Sequence, residues 1–160
     1  MRRKEREIAS QDEIIDLLRR CRVIRLGINT GSYPYVVPMN FGLETEGESL
    51  ILWFHSAPEG RKLELIRQNP KVGFEADCSL NLIVGERARG YTMEYESVIG
   101  YGNMQICEDN NAKRRGLKAI MRQYAPKREF DFRDDEIGDL LVFRLEVGQI
   151  TGKRLKKAEN

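Results

Sequence analysis

A chain of 160 residues, 41% of them hydrophobic, can bury one sizeable core but is too short for two ordinary domains, so residues 1–160 read as a single domain. With 27 Lys and Arg against 25 Asp and Glu, the formal charge of +2 argues against the basic footprint of a dedicated nucleic-acid binder and leaves small anionic ligands open. No run approaches the roughly 18 apolar residues of a membrane span, no secretory apolar stretch follows Met1-Arg2-Arg3-Lys4, and Cys21, Cys78 and Cys107 are too scattered for a disulfide framework; a soluble, cytoplasmic protein is expected.

Ser10 with Glu13 has the spacing of a capping box, and Ile14, Leu17, Leu18 and Cys21 recur at helical spacing, which predicts an amphipathic helix of about three turns. Val23–Ile28 reads as a strand, Asn29-Thr30-Gly31-Ser32 as a turn, and Tyr33–Leu43 as a second strand. Pro34 and Pro38 lie within that strand and cannot donate to a ladder. Around Pro38, then, either the strand is an edge or the backbone of Val37, Met39, Asn40 and Phe41 leaves regular pairing and turns to a ligand.

After a turn over Glu44–Ser49, Leu50–His55 is an apolar strand that ends on the only histidine. Ser56 and Glu59 again have capping-box spacing. They predict a helix starting at Ser56, with Gly60, Arg61 and Lys62 in or just after its first turn and a stop at Asn69-Pro70. Cations there oppose the helix dipole at a cost of a few tenths of a kcal/mol, up to about 1, unless an anion sits among them. Solvated charges and a phosphate site are the two readings of Arg61 and Lys62. The proximity of His55 favours a ligand-facing histidine over a core one.

Val72–Ala76 is a strand ended by Asp77, and Leu80–Gly90 is ambiguous around Leu82-Ile83-Val84. Tyr91–Cys107 is a long strand interrupted by Gly100-Tyr101-Gly102, the sign of a bulge, a barrel corner or a close approach. Asn110–Tyr124 is a helix with Leu117, Ile120, Met121 and Tyr124 on one face and a basic, solvated remainder; Pro126 ends it. Arg128–Gly138 reads as a polar loop and Leu140–Val147 as the final strand. The tail from Ile150 through Lys153, Arg154, Lys156 and Lys157 is either a disordered charged end or ordered by its closeness to that strand. About six strands with few helices suggest a small β-barrel.

Several chemistries are poorly supported. One histidine and scattered cysteines leave too few ligands for a metal site. There is no G-x-S-x-G elbow, and Gly100-Tyr101-Gly102 lies inside a β run with no helix behind it, so neither a hydrolase nor a Rossmann site fits.

Taken together, Val36-Val37-Pro38-Met39-Asn40-Phe41-Gly42, Phe54-His55-Ser56-Ala57 with Gly60-Arg61-Lys62, Asn69-Pro70-Lys71-Val72 and Ser97-Val98-Ile99-Gly100-Tyr101-Gly102 resemble the FMN-binding split-barrel proteins related to pyridoxamine 5'-phosphate oxidase, most of all the 5-nitroimidazole antibiotic-resistance (Nim) subgroup. The resemblance covers nearly the whole chain, from Met1-Arg2-Arg3-Lys4 to Thr151-Gly152-Lys153. It implies a mainly β fold with flanking helices, a six-stranded split β-barrel, and a homodimer with FMN at the interface. By the matching motifs, Pro38, Met39, Asn40 and Phe41 line the isoalloxazine ring, His55 and Ser56 lie beside it, and Arg61 and Lys62 hold the phosphate. Ser97, Val98, Gly100 and Lys153 contribute near the interface. The true oxidases carry a C-terminal Trp and Arg segment that helps hold substrate, whereas the only Trp here is Trp53. The implied reaction is therefore reduction of a nitroaromatic or another acceptor, with His55 as orienter or proton donor, and not oxidation of pyridoxamine phosphate. A non-catalytic flavin or haem binder of the same fold is the alternative, and a nucleic-acid module built on the basic helix and tail is the weakest; neither nucleic acid nor membrane is an expected partner.

Overall fold

The computed structural model describes residues 3–156, so Met1 and Arg2 of the charged opening and Lys157 of the basic tail lie outside it. Ser10 caps helix α1 (Gln11–Arg20): its Oγ accepts from the Glu13 amide, and Ile14, Leu17 and Leu18 are buried on one stripe. The strands are β1 (Glu7–Ile8), β2 (Ile24–Ile28), β3 (Tyr35–Met39), β4 (Gly42–Glu46), β5 (Ser49–Ser56), β6 (Lys71–Ile83), β7 (Thr92–Cys107) and β8 (Leu141–Leu155), joined in one antiparallel sheet. Helices α2 (Arg61–Gln68), α3 (Asn110–Tyr124) and the short α4 (Asp134–Ile137) flank it.

The class is the expected one, mainly β with flanking helices, but the sheet has eight strands and not six. The strand expected over Tyr33–Leu43 is in fact two, and a short β1 pairs with β8. The sheet order is β3-β2-β6-β7-β8-β5-β4. β3 and β4 are thus the two ends of the path, yet only Asn40 and Phe41 separate them in the chain. The three Cα–Cα steps from Met39 to Gly42 span at most about 11 Å, so the sheet must curl until its edges nearly meet, leaving a barrel split along one seam. The edge reading of Pro38 holds: β3 is an edge strand, Val37 and Met39 stay in register with Leu26 and Ile24, and pairing breaks only after Met39, at Asn40 and Phe41.

Other boundaries moved for reasons of pairing. β4 runs on to Glu46, inside the expected turn. β6 does not end at Asp77; it continues to Ile83 against β7, with a register shift between Cys78 and Asn81 where Ser79 takes a φ of 59°. β7 passes through Gly100-Tyr101-Gly102 with a bulge between Tyr101 and Gly102. The polar loop contains α4, anchored by the wholly buried Ile137. β8 extends past Val147 to Leu155, so Lys153 and Arg154 belong to a strand. Among the described residues no helix is long and apolar enough to cross a membrane, and all three cysteines are free thiols.

The inner faces of the strands close on α1 around Leu26, Phe41, Leu52, Phe54, Phe74, Val98 and Leu145, while a second cluster puts Ile51, Trp53 and Val142 under Leu117 and Ile120 of α3. Each such side chain contributes about 1.5–3 kcal/mol through burial.

One carboxylate sits at the rim of the inner core. The Glu96 side chain is only 2% exposed and accepts from Arg20 Nη1 at 2.5 Å, Arg154 Nε at 2.7 Å and Ser79 Oγ at 2.9 Å. Burial alone would raise its pKa, but the hydrogen bonds from Arg20, Ser79 and Arg154 outweigh it and hold the group at about 2, against an ordinary 4.5. Because the folded value is the lower one, the network stabilises in full above about pH 5 and loses its contribution as pH falls toward 2. Urea melts over that range are expected to show an acid loss of about 3 kcal/mol that Glu96→Gln lacks. Parallel profiles for the two proteins would remove Glu96 from the acid transition.

Candidate functional site at the barrel seam

The register of the strands places the site. Gly42 faces Trp53 across β4 and β5, so continued pairing would set Asn40 opposite His55. Instead Phe41 and Asn40 carry the chain over the seam to β3, and His55 keeps a strand partner only on its other side, at Val142 of β8. Phe41 fixes the crossing: its ring is wholly buried, and its amide donates to Tyr124 Oη at 3.0 Å, which in turn donates to the Arg22 carbonyl at 2.8 Å. The ring of Phe41 is therefore a core group and does not line a ligand slot; Asn40 beside it is exposed.

Helix α2 opens over the same seam, though not as the Ser56-Glu59 spacing predicts. Ser56 is the last residue of β5, held opposite Leu141, and its Oγ donates to the Ala57 carbonyl at 2.9 Å. The N-cap is Gly60, at a φ of +121° that a side chain would strongly disfavour. Glycine offers no capping oxygen, so no side chain serves the first-turn amides of Arg61 and Lys62.

Five side chains from three elements meet here. Lys62 Nζ reaches Met39 Sδ at 3.3 Å, and the Arg61 guanidinium lies 5.5 Å from the centre of the Tyr35 ring. Neither cation makes an ion pair with a carboxylate among the described residues, although both stand at the positive end of a helix dipole. Burial lowers the pKa of Lys62, and burial followed by the charge of Lys62 lowers that of His55, which favours a neutral imidazole. His55 Nδ1 is buried with no hydrogen-bond partner among the described residues, a state that is rare in native proteins. Two cations without counter-charge and an orphaned ring nitrogen suit an anionic ligand with polar ring edges. Tyr35 was not singled out from sequence; its alternation with Val37 and Met39 on one face of β3 is the signal that marks it.

The remaining nominated residues lie elsewhere. Pro38 is exposed and stands in register with Arg25, Glu75, Ile99 and Thr151 across the outer face of the sheet. Ser97 and Lys153 form a parallel row on that face with Asp77. Val98 is wholly buried, and a Cβ on Gly100 would lie 2.4 Å from the Phe74 ring, so both face the inner core. Roughly 35 Å of strand separates Lys153 from Val142, the residue opposite His55. Within one chain, Ser97 and Lys153 are not brought to the seam. The outer face around them leaves Val36 and Ile99 59% and Tyr101 53% exposed, whereas the solvent side of an antiparallel sheet is ordinarily polar.

The basic side of α3 is only in part the solvated face expected: Arg115, Lys118 and Arg122 are exposed, but most of its cations are paired. Lys113 is buried and donates to the Ile137 and Gly138 carbonyls, Arg114 pairs with Asp134, Arg115 with Glu44 and Glu46, and Lys118 with Asp131. A surface groove of about 800 Å³ beneath this helix, lined by Trp53, Cys107, Asp109, Arg115 and Arg144, shares no residue with the seam. Its arginines are neutralised by glutamates, unlike Arg61 and Lys62 at the seam.

Comparison with known proteins agrees with this fold. A family model described as pyridoxamine 5'-phosphate oxidase matches residues 10–154. No curated protein matches. The chain is similar to the crystal structure of a candidate 5-nitroimidazole antibiotic resistance protein from Bacteroides thetaiotaomicron, at 32% identity over 92% of this chain and 86% of that one, with a TM-score of 0.80. It shares its fold with the flavocytochrome Anf3 from Azotobacter vinelandii (17% identity, 100% and 75% covered, TM-score 0.81) and with a FAD- and haem-binding protein from Mycobacterium smegmatis (18%, 97% and 76%, TM-score 0.80).

Proposed function

Because the chain belongs to the pyridoxamine 5'-phosphate oxidase family, we propose that it is a flavin-binding oxidoreductase that takes FMN at the barrel seam and reduces a nitro group such as that of a 5-nitroimidazole. The observation that carries the reading is the pairing of Arg61 and Lys62, unneutralised at the uncapped start of α2, with the orphaned Nδ1 of His55. A flavin phosphate fits the first, and a hydrogen-bonding ring edge fits the second. When bound, reduced FMN supplies the electrons for the acceptor.

The chain's own residues hold and orient. Arg61 and Lys62 grip the phosphate together with the free amides of the first turn. Met39 and Asn40 edge the slot where β3 leaves the sheet, with Ser56 at its rim. His55 Nδ1, once engaged by ligand, fixes which ring nitrogen carries the proton and leaves the other to exchange one with the acceptor. Ser97 and Lys153 reach such a site only from a second copy docked on the apolar outer face, which supports a homodimer with residues of both chains at each flavin. Oxidation of pyridoxamine phosphate is not proposed, since the only Trp is buried under α3.

The absorbance spectrum of the purified protein, before and after FMN is added and the excess removed, tests the cofactor. Retained flavin absorbance is expected; a colourless product sinks the proposal. With flavin retained, nitroimidazole turnover separates an enzyme from a flavin-binding protein. His55→Ala is expected to lower turnover about 10²–10⁴-fold while changing FMN affinity less than tenfold, and undiminished turnover would take His55 out of the chemistry.

A further inference from the structure

A long cationic side chain with no counter-charge ordinarily moves freely in solvent, since holding it in one geometry costs side-chain entropy. At the start of α2 both cations are nevertheless held, and by the same strand. The Arg61 guanidinium lies over the face of the Tyr35 ring, 5.5 Å from its centre, and Lys62 Nζ lies 3.3 Å from Met39 Sδ. Tyr35 and Met39 stand four residues apart on β3 and share with Val37 the face packed against the core. All three are half-buried, whereas Val36 and Pro38 between them are exposed. β3 is an end strand of the sheet, so this row is fixed through the pairing of Tyr35 with Ile28 and of Met39 with Ile24.

The two partners have one property in common. An aromatic face and a thioether are polarisable and uncharged, and they attract a cation without cancelling its charge. Elsewhere the protein holds its arginines with carboxylates: Arg115 by Glu44 and Glu46, Arg144 by Glu46, Arg25 by Glu75 and Asp77. A carboxylate beside Arg61 would occupy its N–H groups and repel an anion. A ring offers no oxygen, so the five N–H donors of the guanidinium remain for a ligand.

We propose that Tyr35 is a positioning residue for a flavin phosphate: its ring holds Arg61 at the seam without neutralising it, and so makes the site prefer phosphorylated flavin to riboflavin. The role presupposes the flavin reading of the seam given above. It belongs to the face of the ring, so the phenolic hydroxyl has no part in it and phenylalanine serves as well. Leucine fills the same stretch of wall but releases Arg61. Riboflavin has the same isoalloxazine ring and no phosphate, so it gains nothing from Arg61 and does not register the change.

The test measures the dissociation constants of FMN and of riboflavin for the full chain, freed of flavin, through the quenching of flavin fluorescence. In Tyr35→Leu the affinity for FMN is expected to fall about three- to tenfold, with riboflavin unchanged within about twofold. Tyr35→Phe is expected to keep both affinities within about twofold. When Arg61→Ala is already present, Tyr35→Leu is expected to have no further effect on FMN, because the two residues act through one contact. Should Tyr35→Leu fail to fold, Tyr35→Thr keeps strand propensity without a ring and reads the same difference. The proposal is overturned by an equal loss for FMN and riboflavin, by a loss in Tyr35→Phe as large as in Tyr35→Leu, or by no loss in Tyr35→Leu. An unaltered protein that prefers FMN to riboflavin shows that such a failure belongs to Tyr35 alone; one that binds neither flavin overturns this role and the flavin reading together.

Discussion

Arg61→Ala combined with Lys62→Ala is expected to weaken FMN binding by about 10²–10⁴-fold and to leave the fold intact. A hydrogen bond to a charged group contributes about 1.5–3 kcal/mol, and each 1.4 kcal/mol is tenfold in affinity. Exposure to solvent reduces the share of Arg61, so Lys62→Ala alone is expected to cost more than Arg61→Ala alone. Stability should hold because neither cation has a carboxylate to lose; their contacts are the Met39 sulfur and the Tyr35 ring. Removing two charges from the positive end of α2 even relieves a few tenths of a kcal/mol. Fluorescence titration with FMN, beside a thermal melt, reads both halves of the expectation. Affinity unchanged within twofold would place the phosphate elsewhere.

Gly102→Ala is expected to cost at least about 4 kcal/mol, enough to deprive a domain of this size of most of its stability. A Cβ at this position would lie 1.9 Å from the Glu146 carbonyl oxygen and 2.9 Å from its carbon, both backbone atoms that no rotamer change can move. Relief requires β7 and β8 to part at the bulge between Tyr101 and Gly102, where their pairing is already irregular. Urea denaturation would show a collapsed midpoint or no folded baseline. A loss below about 1 kcal/mol would mean that the bulge can slide to accommodate a methyl group.

What the sequence revealed and what it hid divide along local and distant interactions. The cap at Ser10 and the stripe of Ile14, Leu17 and Leu18 are local facts, and α1 followed them. Pro34 and Pro38 marked an irregular strand because a missing amide is also local, but the passage of the next two residues across a seam depends on where β2 and β5 lie. Ser56 and Glu59 had the spacing of a cap, yet the pairing of Ser56 with Leu141 overrode it and moved the helix start to Gly60. Lys153 and Arg154 left order and disorder both open because their partners, Tyr95 and Glu96, stand on another strand. Val98 and Gly100 were separable from Ser97 by the period of two alone, since alternate residues of a strand face opposite ways. Arg61, Lys62 and His55 stood out in the sequence because each broke a local rule: cations at the wrong end of a helix, and a lone polar ring closing an apolar strand.

The last strand has a consequence for the order of assembly. β8 pairs with β1, β5 and β7, and it alone connects the β5-β4 pair to the rest of the sheet. Until it is made, the growing chain holds two disconnected β ribbons with open edges and an unclosed core, and the register that sets His55 at the seam does not exist. Such a topology folds late and slowly, through contacts of long sequence separation. Interrupting the chain between α4 and β8 would thus release an aggregation-prone intermediate and not a smaller folded barrel.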